Sequence, residues 1–137
     1  LLDQRSELYD PWVLQRFEAG RSQRAADYID VLEARRRMHD IVHPKMRAFD
    51  VLLCPTVPIV APRLEELEQS DVSNKTNLLV LRNPALVNFL DGCAISIPIH
   101  RRGDPPVGLM LIGAPGQDRR LLAIADQAEA ALQALRG

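Results

Sequence analysis

The sequence predicts an α/β domain, a small mixed sheet of about three strands packed with helices. Two observations carry this. Three short apolar runs, residues 50–54, 94–99 and 107–112, have the length and composition of buried strands. Two longer segments, about 22–48 and 118–135, instead repeat apolar residues at helical spacing. Strand-like runs alternating with helical stripes are the pattern of layered α/β architecture.

Taken in order, residues 1–21 show no clear period, with a turn-like Asp10-Pro11 and a punctuating Gly20. From Ser22, a candidate N-cap, the stripe Ala25, Ile29, Leu32, Val42, Met46 and Phe49 predicts one long helix over about 22–48, kinked before Pro44. The run "DVLLCP" reads as a strand buried on both faces and ended by Pro55. "PTVPIVAP" is extended and excluded from a central strand by its prolines. Residues 63–77 read as a charged loop with a short helix, and 83–92 as one or two helical turns with Pro84 in the first and Gly92 closing. The runs 94–99 and 107–112 are joined by seven residues, too few for a parallel crossover, so they are expected as adjacent antiparallel strands. After "GAPGQD", a strand-to-helix turn, Asp118 is the expected N-cap of an amphipathic helix striped by Leu121, Leu122, Ala125, Ala128, Leu132 and Leu135.

At 137 residues the expectation is one domain, 1–137, with one core. Seventeen Lys and Arg against eighteen Asp and Glu give a net charge of −1, so no electrostatic footprint points to nucleic acid or an anionic membrane. No apolar run approaches the ~18 residues of a membrane helix. Cys54 and Cys93 stand in apolar surroundings without a C-x-x-C, as expected of two buried free thiols in a cytoplasmic protein. The opening "LLDQRSELYD" has no Met and no cationic leader, and reads as the middle of a longer protein. Three apolar strands also make a small sheet of the kind that usually continues into further strands.

The chemistry-bearing candidates are few. "HDIVH" sets His39 and His43 one turn apart on one helix face, a likeness to H-E-x-x-H. Asp in place of Glu, the following Pro44 and the lack of a nearby third ligand argue against a metal, and no cofactor is expected. "GAPGQD" lacks the phosphate-loop and dinucleotide patterns. None of the serines lies in G-x-S-x-G, and Ser96, inside a strand run, is expected as a cross-strand hydrogen-bond partner.

The ordered pieces "DVLLCPTVPIVAP", Asn88, "AISIP", "PPVGLMLIG" and "DRRLLAIADQAEAAL", with "DPWVLQRFEAGRSQRAADYIDVLEARRR" before them, resemble the C-terminal third of amidase signature enzymes. The likeness covers nearly the whole chain. Against the family's Asn-x-x-Gly-x-Pro-Ala-x-Ser-x-Pro, Asp91 replaces the Gly and Cys93 the first Pro, while Asn88, Ala94, Ser96 and Pro98 are kept. In the later pattern Pro105 stands for a Leu and Met110 for a Gln.

The resemblance implies the C-terminal part of the amidase signature fold and amide hydrolysis by a Ser–cis-Ser–Lys triad. That triad is borne upstream, so no catalytic residue carries over, and residues 88–113 are expected to be scaffold. Arg16, matching the family's Arg before a Gly, is the candidate to pair with an anionic substrate group, and Asn88 is a second candidate substrate contact. The partners implied are a small-molecule amide in the intact protein, the N-terminal part of the same enzyme, and a second copy of the chain. A small-molecule amidase, the glutaminase subunit of a tRNA-dependent amidotransferase, and a non-catalytic interaction module are the readings left open.

Overall fold

The computed structural model describes residues 4–135. Residues 1–3, part of the stretch read as aperiodic, and 136–137 lie outside the described residues. The chain divides into two compact units, one ending at Arg36 and the next beginning at Arg37.

In the first unit, helix α1 spans Pro11–Ala19, within a stretch whose sequence shows no period. Its signal is the Asp-Pro pair, which reads equally as a turn. Asp10 is the N-cap, accepting from the N–H of Trp12 at 2.9 Å and of Val13 at 3.2 Å. Pro11 occupies the first helical position, where its missing N–H costs nothing. Tyr9 and Phe17 meet edge to face, ring centres 5.9 Å apart.

Helix α2 spans Ala25–Met46, so its start differs from the expected one. Ser22 is not the N-cap; its hydroxyl donates to the carbonyl of Ala19 at 3.0 Å within a 3-10 turn over Gly20–Ser22. The first helical bond instead runs from Tyr28 N–H to Arg24 O. Three residues on, Asp27 reaches back to the Arg24 N–H at 3.0 Å, the return leg of a capping box. The Arg24 guanidinium grips the same carboxylate with Nε at 3.2 Å and Nη2 at 2.8 Å. That side-chain pairing, then the backbone N–H, holds the Asp27 carboxyl below its ordinary range, and the carboxylate holds Arg24 above its own.

The second unit holds the sheet. Strands β1 (Leu52–Pro55), β2 (Cys93–Pro98) and β3 (Gly108–Gly113) pair in the order β1-β3-β2. The expected antiparallel neighbours, β2 and β3, pair Cys93 with Gly113 through Pro98 with Gly108. β1 joins the other side of β3, Leu52 with Ile112 through Pro55 with Leu109. Both pairings are antiparallel, so the sheet is not mixed.

Paired residues share a face and neighbours along a strand alternate. Helix α4, Asp118–Ala134, packs over β2 and β3, where Ile97 and Leu111 meet its Leu121 and Ala125 in a buried cluster flanked by Ile95 and Leu109. Asp118 is its first residue rather than its N-cap, which is Gln117 without a side-chain cap bond. On the opposite face a smaller cluster of Met46, Leu90 and Ala114 packs with Val42 and Ile112. The apolar stripe of α2 thus reaches the sheet through its last turns.

Three expectations fail for identifiable reasons. β1 is not buried on both faces: Leu53 is 61% exposed and Leu52 37%. It is an edge strand beyond the part of the sheet that α4 covers, and an edge is where its closing proline is tolerated. Residues 70–89 form one helix, α3, with Pro84 inside it, not a loop and two turns. Its Asn, Thr and Val residues are indifferent helix formers, but Val87 and the adjoining Leu90 are buried, and such packing overrides propensity. α2, by contrast, runs through Pro44 to Met46 as the one long helix expected. The two free thiols are half-buried rather than buried; Cys93 Sγ donates to the carbonyl of Ala114 at 3.5 Å.

Candidate functional site

Arg16, the first residue singled out for substrate, lies in the last turn of α1 and is exposed. Asn88 lies in the last turn of α3, in the second unit, and is also exposed. The Asn88 carbonyl accepts from Asp91 N–H at 3.2 Å. Asn88 thus contributes backbone to a structural motif that leads into β2.

That motif explains the two histidines. An α-helix leaves its last four carbonyls without intrahelical donors. At the end of α3 the Gly92 N–H returns to Val87 O at 3.0 Å and the Asp91 N–H to Asn88 O, the two bonds of a Schellman turn. The next carbonyl, of Phe89, lies 2.7 Å from His39 Nε2, and that of Leu90 lies 2.7 Å from His43 Nε2. A carbonyl only accepts, so both imidazoles donate there. Four terminal carbonyls find four donors. The rings stack with centres 4.5 Å apart, and the carboxylate of Asp91 lies 3.9 Å from His39 Nδ1. "HDIVH" is therefore a C-terminal cap supplied by a different helix, and among the described residues no group of three or more metal-ligating side chains exists.

Asp91 sits at the turn position that reverses direction, with φ +52°. This is the left-handed region, free of penalty only for Gly and tolerated by Asp and Asn. It is also the position where the family pattern that the sequence resembles carries Gly.

A largely apolar groove with a few polar groups lies elsewhere, on the sheet face away from α4. There Thr56 extends the β1 ladder by one bond, its N–H donating to Gly108 O at 2.9 Å. The Thr56 and Ser96 hydroxyls, from either side of β3, approach to 2.5 Å. They meet because the strand between them offers no side chain. A Cβ on Gly108 would collide with Ser96 Oγ and stand 2.6 Å from Thr56 Oγ1. The expected cross-strand role of Ser96 is thus observed, spanning two strands rather than one. Val57, Pro98, Pro106 and His100 complete a groove of about 340 Å³. A smaller hollow of about 200 Å³, walled by Pro58, Ile59 and Val60, adjoins it and shares Val57, Pro106 and Val107.

Two supporting residues carry no local sequence signal, because each has its partner far along the chain. Asn83 Nδ2 donates to the carbonyl of Pro55 at 2.8 Å, tying α3 to the point where β1 enters the proline-rich segment. Arg120 pairs with Asp50, joining the first turn of α4 to the lead-in of β1.

Comparison with known proteins places this geometry. The amidase family model matches residues 3–122. The 2-amino-5-chloromuconic acid deaminase of Comamonas testosteroni is 39% identical over 77 residues, 56% of this chain and 17% of that protein. A glutamyl-tRNA(Gln) amidotransferase subunit of Sulfurisphaera tokodaii is 30% identical over 105 residues, 77% of this chain and 22% of that protein. A crystal structure of an amidase superposes with a TM-score of 0.77 at 26% identity, covering 95% of this chain and 30% of that one. The corresponding amidotransferase subunit from Thermotoga maritima shares the fold, with a TM-score of 0.57. The chain therefore spans about a fifth of the length of the curated relatives it matches.

Proposed function

From the premise that this chain belongs to the amidase family, we propose that it is the C-terminal part of a longer enzyme hydrolysing carboxamide C–N bonds. The observation that carries this is the family match over residues 3–122 in a chain that covers only 30% of a solved amidase. In this reading the triad stands in the part of the protein before Leu1. A lysine takes the proton of one serine, which activates the second serine for attack on the acyl carbon. The amine leaves with a proton, and water releases the acid. The hydroxyl of Ser96, committed to Thr56, is not part of that relay.

This chain's own contribution is scaffold and wall. Arg16 pairs with an anionic group on the substrate, a role supported by its place before Gly20 in the family's Arg–Gly pattern. Asn88 shapes the substrate side of the α3 end. The N-terminal part of the same enzyme covers the open edge of β1 and the exposed Leu78 and Leu81 of α3. Where that part is missing, a second copy takes its place. Among the described residues no helix is long and apolar enough to cross a membrane, and two free thiols suit a cytoplasmic enzyme.

The test is the full-length protein against simple alkyl amides, anilides and glutamine, beside the 137-residue chain alone. The full protein turns over at least one class and the chain alone none. Turnover by the chain alone that is lost on Ser96→Ala overturns the reading. The glutaminase reading is favoured by the match to the Sulfurisphaera tokodaii amidotransferase, which extends over 77% of this chain. It requires glutamine to be the preferred amide and Arg16→Ala to raise KM for glutamine without raising it for neutral amides.

A further inference from the structure

The groove over Gly108 has a donor arrangement that a purely structural role leaves unused. In the Thr56–Ser96 pair only one O–H lies along the 2.5 Å line between the oxygens. The other hydroxyl hydrogen is free to turn into the groove. His100 supplies a second donor. Its Nδ1 lies 3.3 Å from both the N–H and the carbonyl of Val107. That carbonyl already accepts from Ile99 N–H at 2.9 Å, whereas the Val107 N–H has Nδ1 as its acceptor. Nδ1 therefore carries the lone pair and the proton sits on Nε2. The remaining walls, Val57, Pro98 and Pro106, are apolar and stiff. A few donors in an apolar concavity of a few hundred Å³ is the general form of a small-molecule site.

We infer that this groove is a subsite for an acyl oxygen, a carboxylate or carbonyl at the non-scissile end of a small amide substrate. Hydrogen bonds from the Thr56–Ser96 pair and from His100 Nε2 hold it. Gly108 is the residue that makes the site, because any side chain there would drive the two hydroxyls apart. The assignment rests on the amide-hydrolase reading for the word substrate, but the binding chemistry stands without it.

The experiment uses the full-length protein with three amides of equal chain length: hexanamide, adipamide and adipamate. His100→Phe and the double variant Thr56→Val/Ser96→Ala should raise KM for adipamide and adipamate by about tenfold, the worth of one or two hydrogen bonds. KM for hexanamide should stay within about twofold, and kcat unchanged for all three. Adipamate alone responding identifies a carboxylate; both responding identifies any acyl oxygen. Equal effects on all three amides, or none, overturn the inference. Should the protein hydrolyse no amide, the proposed function fails separately, and titration with adipate followed by NMR decides the groove. Saturable shifts at Thr56, Ser96 and His100 that are lost in Gly108→Ala, whose remaining spectrum shows it folded, support the site. Absence of shifts in the unaltered protein overturns it.

Discussion

Asp91 holds a backbone angle of +52° at the hinge between α3 and β2. A side chain with a branched β-carbon is strained there, so Asp91→Val should destabilise the protein by about 1–2 kcal/mol. Asp91→Gly should be tolerated far better, because it relieves the backbone. Chemical denaturation of the pair gives the comparison, and a Val variant as stable as Gly would remove the left-handed requirement. Asp27 offers a prediction of opposite character, governed by charge. Its carboxyl is held below its ordinary range, chiefly by the Arg24 side chain. A depressed carboxyl contributes stability above its unfolded value, about 3.9, and that contribution is lost as pH falls through the folded value. Protection of the Arg24 amide, its exchange relative to the unstructured rate at the same pH, should therefore fall on acidification through that window, and in Asp27→Asn it should lose this pH dependence. Both residues show why position outran sequence. The substitution of Asp for the family's Gly was visible at 91, but the angle that gives it meaning was not. At 27, the carboxylate does the capping expected of Ser22, because a capping box can be closed from its third residue.

At the scale of the element, α3 shows how a cap can be borrowed. His39 and His43 serve carbonyls some fifty residues away, so the spacing that suggested a metal pair suits two successive carbonyl groups at a helix end equally well. His43→Ala leaves the Leu90 carbonyl without its donor and should cost about 1–3 kcal/mol. His43→Gln, which retains an N–H, should recover part of it, and a Gln variant no better than Ala would show that only ring packing matters. Strand positions were legible to within two residues, since short apolar runs bounded by proline have few alternatives. Helix α4 was legible because its stripe is regular. Helix α3 was not, because its stability comes from what Val87 and Leu90 are buried against rather than from its own residues. α1 was missed for a different reason: Asp-Pro signals both a turn and a helix start, and too little periodicity follows to choose. The groove was illegible in full, because Thr56, Ser96 and Gly108 come together only through the register of two strands on a third.

For the whole molecule, the core is small and its centre is Leu111, 1% exposed between β3 and α4. Leu111→Ala should cost about 2–5 kcal/mol, read from the midpoint of urea unfolding. Apolar side chains on β1 and α3 remain open to solvent, so the chain alone should self-associate. Sedimentation at tens of micromolar checks this, and a clean monomer that binds no apolar dye would show that it closes its own surface.

The strand that holds the sheet together is also the last of the three to be synthesised. Among the described residues β1 and β2 have no pairing with each other, and each is joined to β3. While the chain emerges from a ribosome, both must wait for β3 until residues 108–113 are free, and Leu52 then closes with a partner some sixty residues downstream. A message interrupted before Gly108 thus yields a product in which neither earlier strand has its β3 partner. The sheet forms only once residues 108–113 have emerged, and until then quality control meets two apolar strands without their shared partner.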